Sequence, residues 1–198
     1  DYDNDGDLDI LTNGYDGLNV YSIVYRNDSG NFVDINAGLA PAGYGSAVAW
    51  GDYDNDGDLD ILLSGRNENT NRITKIYRND NGNFIEINAG LYGLSGSCVA
   101  WGDYDNDGDL DMMAGSSVSS FYYFENTGTP AAPVFAPVQT NPFGLSDVGT
   151  YSAPVFVDLA NDGDLDMMAG EVFGNFYYFQ NTGTAAAPAY VNEFNQFG

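Results

Sequence analysis

Short apolar stretches of four to seven residues, rich in Val, Ile, Tyr and Phe and bounded by Gly, Asn and Asp, recur along the whole 198-residue chain. In the second quarter they read GSAVAW, DILLSG, ITKIYR and FIEINAG, separated by polar segments such as RNENTNR and NDNGN. No segment keeps apolar residues at three-to-four spacing over three turns, and 25 glycines are spread through the chain. Both observations argue against helix. Short, β-rich runs between turn residues predict antiparallel strands joined by hairpins. Asn81-Gly82, Ser29-Gly30 and Thr127-Gly128 are the candidate hairpin turns. The expectation is an all-β protein.

The strands are grouped by an internal repeat. DYDNDGDLD occurs unchanged at 1–9, 52–60 and 103–111, and returns as DLANDGDLD at 158–166. Its starts are separated by 51, 51 and 55 residues, and each unit has room for four short strands. That arithmetic predicts a β-propeller of four-stranded antiparallel blades. The approximate repeats are 1–43, 44–94, 95–148 and 149–198, read as one propeller segment. Fifteen strands can be counted where four blades need sixteen, because no strand precedes Asp1. The favoured expectation is a segment of a larger propeller, with strand donation from a neighbouring copy as the alternative. Units one and two share Tyr-Arg-Asn-Asp (25–28 and 77–80), whereas units three and four share DLDMMAG and Phe-Tyr-Tyr-Phe. Both alternating faces of 121–124 and 176–179 are bulky, which predicts burial on both sides; a tyrosine platform for stacking sugars is the rival reading.

Charge then narrows the function classes. The formal net charge is -24, with 29 acidic and five basic residues. Five acids fall in each intact motif and four in the altered one, so 19 of the 29 lie inside the motifs. Four divalent ions would still leave a net charge of about -16, so nucleic acid and anionic membrane surfaces are disfavoured partners. No apolar run approaches the length of a membrane span. Histidine is absent, which removes the commonest general base and transition-metal ligand. The single cysteine, Cys98, stands where the preceding unit has Ala47 and reads as a small buried strand residue.

The nine-residue motif brings five carboxylates into one small volume, an arrangement that calls for a hard, oxygen-seeking cation such as Ca²⁺. Positions one, three and five offer side-chain oxygens, position seven a backbone carbonyl, and position nine a closing carboxylate. An EF-hand opens in the same way but needs an acid at position twelve. That position holds Thr12, Leu63, Ala114 and Ala169, so the EF-hand is excluded.

Asp-x-Asp-x-Asp-Gly-x-x-Asp at the junction of the first two strands of a fifty-residue repeat resembles the FG-GAP (VCBS) repeat, the blade of the integrin α-subunit propeller. Phe143-Gly144 with Ser152-Ala153-Pro154, and Phe197-Gly198, match its name-giving residues; Tyr44-Gly45-Ser46-Ala47 and Gly96-Ser97-Cys98 are degenerate forms. The resemblance implies calcium ligation by the side chains of Asp52, Asp54, Asp56 and Asp60 and the carbonyl of Asp58. It implies the same roles for Asp103, Asp105, Asp107 and Asp111 with the carbonyl of Asp109. In the first loop Asp1, Asp3, Asp5 and Asp9 carry over with the carbonyl of Asp7. In the fourth, Ala160 replaces a carboxylate, which leaves Asp158, Asp162, Asp164 and Asp166 and implies a weaker site with an extra water. Three to four structural Ca²⁺ ions are expected.

By the same resemblance the chain is expected to be an extracellular, non-catalytic binding or adhesion module. Its inter-blade loops, around 38–45, 90–96 and 141–151, would recognise a protein or a glycan, as in lectin-like relatives. A self-associating structural repeat of a fibre or surface layer is the alternative. A carbohydrate-active enzyme is third, because Glu68, Glu125, Glu171 and Glu193 are isolated in sequence. Asn27-Asp28-Ser29 is a sequon inside an expected tight turn.

Overall fold

The computed structural model describes residues 1–96, 98–118 and 120–193. Among these residues lie fifteen strands in four antiparallel sheets, and the one helical element is a 3-10 turn at Pro142–Gly144. The chain divides into two compact units, Asp1–Gly96 with Pro130–Ala132 and Ser97–Thr129 with Pro133–Gly198.

The first unit holds a three-stranded sheet, β1 (Ile10–Tyr15), β2 (Val20–Asp28) and β3 (Asn31–Asp34), in sequence order. Its second sheet comprises β4 (Ala47–Gly51), β5 (Asp60–Arg66), β6 (Arg72–Asp80) and β7 (Asn83–Glu86), also in sequence order. The second unit holds β8 (Val99–Gly102), β9 (Asp111–Gly115), β10 (Phe121–Phe124) and β11 (Gln139–Thr140), and then β12 (Ala153–Val157), β13 (Asp166–Gly170), β14 (Phe176–Asn181) and β15 (Tyr190–Asn192). Each is the up-and-down meander of a propeller blade. The Asp loops join the first and second strands of sheets two, three and four, and the first loop leads directly into β1.

Turn chemistry sets the registers. Ser29 and Gly30 both adopt positive φ, as do Asn81 and Gly82, and each pair closes a two-residue hairpin with Asp28 opposite Asn31 or Asp80 opposite Asn83. This is the turn whose twist matches paired strands. Thr127-Gly128 behaves differently from the sequence expectation. Asn126 bridges to Phe135, and the chain between them is a wide loop. The Asn126 side-chain oxygen closes it by accepting the N–H groups of Gly128 (3.1 Å) and Val134 (3.0 Å). The inserted Thr-Pro-Ala-Ala-Pro segment is too long for a tight turn and displaces the return strand to Gln139–Thr140.

The second residue of each intact Asp motif reaches into the core. Tyr2 stacks parallel to Trp50 at 5.9 Å and meets Phe84 at 5.5 Å, among Val24, Ile61, Leu63 and Tyr77. In the second unit Tyr104 packs on Phe156 at 4.2 Å, within a cluster that includes Met113, Phe121, Tyr123, Met167 and Phe179. Beside that cluster, Phe143 packs on Tyr123 at 5.0 Å, and Gly144 follows with φ 87. A Cβ at Gly144 would lie 2.8 Å from the Tyr190 carbonyl oxygen, so both the dihedral and the space require glycine.

Two further expectations change. Cys98 is exposed and precedes β8, which begins at Val99, whereas its counterpart Ala47 already opens β4. The Cys98 carbonyl still receives the Gly115 N–H at 2.9 Å, so the backbone role survives while the side chain lies outside the sheet. The two Phe-Tyr-Tyr-Phe strands also differ. Phe121, Tyr123 and Phe124 are buried, but Phe176 is exposed and Tyr177 and Tyr178 are half-buried. Among the described residues, the face of the fourth sheet that carries Phe176 also exposes Val155 and Val191.

Candidate metal centres

Each Asp loop is shaped by two left-handed residues. Position four is Asn in all four copies, with φ 58 at Asn4, 56 at Asn55, 59 at Asn106 and 56 at Asn161. Position six is Gly, with φ between 92 and 97. Asn is one of the few side chains that tolerate this region, and Gly enters it freely. The resulting curl directs backbone N–H groups at the position-one carboxylate. Asp52 accepts from Asp56 and Gly57, both at 3.0 Å, and Asp1, Asp103 and Asp158 repeat the arrangement. The position-five carboxylate accepts the position-seven N–H, as in Asp58 to Asp56 at 2.9 Å.

The position-nine carboxylate has a second role that the sequence reading did not assign. One oxygen of Asp60 accepts the Tyr53 N–H (2.9 Å), across the loop. The other accepts the Asn79 N–H (2.7 Å), from the end of β6. Asp9, Asp111 and Asp166 do the same with Asn27, Asn126 and Asn181. These asparagines bind back in turn: the Asn79 side chain donates to the carbonyls of Leu59 and Tyr2 and accepts the Gly82 N–H. Their signal in the sequence is an Asn 15 to 19 residues beyond the closing Asp in every unit. Asn27 is also the sequon residue, and its amide is already bonded to the Leu8 carbonyl and the Gly30 N–H. In units three and four a tyrosine hydroxyl adds to this lock, Tyr123 on Asp111 (2.9 Å) and Tyr178 on Asp166 (3.0 Å).

Three loops gather carboxylate oxygens within 4.8 Å of one another: Asp1, Asp3 and Asp5; Asp52, Asp54 and Asp60; Asp103, Asp105 and Asp107. Oxygens on opposite sides of one calcium ion are separated by about 5 Å, so these clusters have the size such an ion needs. The electrostatics agree. Burial first, and then the neighbouring carboxylate at Asp56, holds Asp54 above the usual carboxylate range; Asp105 is raised by burial and Asp107 in the same way. Burial lifts Asp60 and Asp111 to about 7. Asp54 Oδ1 is buried and meets no hydrogen-bond donor. A buried, partnerless carboxylate oxygen facing like charges is the place where a cation is missed most. The donor set, all oxygen, fits a hard divalent ion.

The remaining predicted ligands are placed as follows. The side chains of Asp7 and Asp58, expected to contribute only carbonyls, accept the N–H groups of Ser29 (2.8 Å) and Asn81 (3.1 Å) and so tie the loop to the hairpin turn. Asn4 donates to Asp58 Oδ1 at 3.2 Å, linking the first loop to the second. In the fourth loop Asp158, Asp162, Asp164 and Asp166 keep the backbone scheme, and the Ala160 N–H donates to Asp166 at 3.1 Å. Among the described residues that loop gathers no three-carboxylate cluster. Of the isolated glutamates, Glu171 is bonded within its own turn to Phe173 and Asn175, and Glu125 accepts from Gln139.

No curated protein matches the chain. The profile of the FG-GAP-like repeat matches residues 1–63 and 103–169, well over half of the sequence. Repeat length, blade topology and the Asp loop at the strand junction all accord with that match, and the chain belongs to the FG-GAP-like repeat family.

Proposed function

We propose that this chain is a calcium-stabilised, non-catalytic binding or adhesion module that works outside the cell. The observation that carries the reading is the Asp-loop cluster: three carboxylates within 4.8 Å in each of three loops, two of them at strand junctions and one with a buried oxygen that lacks a donor. The ions would be held by Asp1, Asp3 and Asp5, by Asp52, Asp54 and Asp60, and by Asp103, Asp105 and Asp107, with Asp9, Asp56 and Asp111 and the carbonyls of Asp7, Asp58 and Asp109 completing the shells. Bound calcium supplies charge neutralisation and a cross-link between the first two strands of a blade. Extracellular calcium modules have dissociation constants of order 10⁻⁴ to 10⁻³ M, suited to a millimolar calcium environment.

Support for a separate ligand-binding end comes from the segments 38–45 and 90–96. Tyr44 packs on Tyr15 at 4.4 Å beside a cleft of about 350 Å³ that also takes in Asn19, Glu68 and Thr70. Gly90, Leu91 and Gly93 line another of about 290 Å³ with Arg72 and the Lys75–Glu86 ion pair. Clefts of this size with a few polar groups suit a peptide side chain or a sugar. Isothermal calorimetry with calcium and magnesium tests the metal reading: calcium binding at three or four sites with a rise in melting temperature is expected, and no heat with an unchanged melt overturns it. A glycan array and a pull-down of extracellular protein, each with and without chelator, separate the two ligand classes.

A further inference from the structure

The chain has five basic residues against 29 acidic ones, and three of the five are matched. Arg26 binds Asp28 and Arg78 binds Asp80, each through two nitrogens, and Lys75 binds Glu86. The other two, Arg66 and Arg72, are the closing pair of the β5–β6 hairpin and lie directly opposite each other. Opposed residues of an antiparallel pair point to the same face, with Cβ atoms about 5 Å apart, and like charges there are destabilising. Among the described residues neither guanidinium has an acidic partner. Glu86 is taken up by Lys75, and Glu68, the acid in the hairpin loop, forms no ion pair with either arginine. The fold does not ask for this pair. The closing pairs of the corresponding hairpins are Tyr15 with Val20, Gly115 with Phe121 and Gly170 with Phe176. The second sheet alone places two cations at that point, and it holds them on a fixed base. The Arg66 carbonyl accepts the Gly43 N–H at 2.9 Å. The Asn67 side-chain oxygen accepts the N–H groups of Asn69 and Asn71, both at 3.0 Å. Thr70 is held at φ 63, a left-handed value that a β-branched residue avoids. Strain of this kind persists where a loop must present its side chains in one arrangement.

We infer that Arg66 and Arg72 together bind the carboxylate of an acidic saccharide. A bound carboxylate turns their mutual repulsion into charge-assisted hydrogen bonds, the role to which the planar guanidinium is suited. The charge of the chain selects the anion. At a net charge of -24, a doubly charged phosphate is repelled more strongly than a single carboxylate. The loop beside the pair selects the carrier. Asn67, Glu68, Asn69, Thr70 and Asn71 offer amide, carboxylate and hydroxyl groups, and residues 68–72 are exposed. Such groups match the hydroxyls that flank the carboxylate of a uronic or sialic acid, and they present no apolar surface to a peptide side chain. The inference rests on the reading of the chain as a binding module and is independent of the calcium reading.

Calorimetry of the 198-residue chain in calcium buffer, against short oligomers of galacturonate, glucuronate and sialate, tests this directly. At least one should bind, and its methyl ester should bind at least about tenfold more weakly. Arg66→Gln and Arg72→Gln should each weaken binding by about tenfold or more. Their melting temperatures should equal or exceed the parent's, because each removes one of two opposed like charges. Arg72→Lys should recover only part of the affinity, since it keeps the charge and loses the fork. An ester that binds as well as the free acid overturns the proposal, as do glutamine variants that bind like the parent. Oligoglutamate bound more tightly than every saccharide would assign the arginines to an acidic peptide instead. If the acidic saccharides fail while a neutral glycan or a protein binds, this site falls and the wider binding reading stands.

Discussion

The carboxylate of Asp60 accepts two backbone N–H groups, from Tyr53 and Asn79, while one oxygen of Asp54 in the same loop meets no donor. The two aspartates should therefore respond differently to substitution. Asp60→Ala leaves two buried donors unpaired and should cost about 2 to 5 kcal/mol in urea denaturation, with chelator as well as with calcium. Asp54→Asn removes repulsion and keeps an acceptor oxygen for the Asp56 N–H. It should leave the chelated protein as stable as the parent or more so, and forfeit the calcium increment, about 1.4 kcal/mol per site at millimolar calcium. Equal losses for both variants in chelator would contradict this division. The carboxylates and the glycine were legible in the motif, but the reason for Asn at position four was not. It lies in a φ near 58 that repetition of a letter does not reveal. Asn106→Ala should cost about 1 kcal/mol from left-handed strain, readable as a lowered urea midpoint.

Hairpins and core plugs show which elements local chemistry dictates. Asn81-Gly82 and Ser29-Gly30 form the two-residue turns that their residues favour, because both positions need positive φ and nothing longer intervenes. Thr127-Gly128 carries the same kind of signal, yet it opens a wide loop held by the Asn126 side chain. The Asn–Asp pairing is the same in all three places, and it is the inserted residues 129–133 that leave too much chain for a two-residue turn. The plug residues give a prediction for whole sheets. Tyr104→Ala should destabilise the protein by about 3 to 5 kcal/mol, because it empties a packed contact with Phe156. Leu159→Ala, at the equivalent exposed position, should change stability by less than about 1 kcal/mol. Thermal and urea melts of the pair check the contrast.

Across the molecule, 29 acidic residues face five basic ones, and most of the acids crowd the Asp loops. Stripping calcium should lower the melting temperature most at low ionic strength, and added sodium chloride should recover part of the loss by screening. A chelated protein whose melt ignores salt would contradict that. Calcium titration should resolve three similar sites and a weaker fourth, since Ala160 removes one carboxylate from the last loop; four equal sites would overturn the assignment. The strand alternation and the Asp motif were readable from residue order, because each depends on spacing within about ten residues, and the blade class followed from recurrence of the motif every 51 to 55 residues. The hydrogen bonds that Asp9, Asp60, Asp111 and Asp166 accept from Asn27, Asn79, Asn126 and Asn181 were not readable, since those partners lie 15 to 19 residues further along the chain. Nor could identical Phe-Tyr-Tyr-Phe strands announce that one would be buried and the other exposed. Burial belongs to the neighbouring sheet, and a strand's own letters carry no record of whether that neighbour is present.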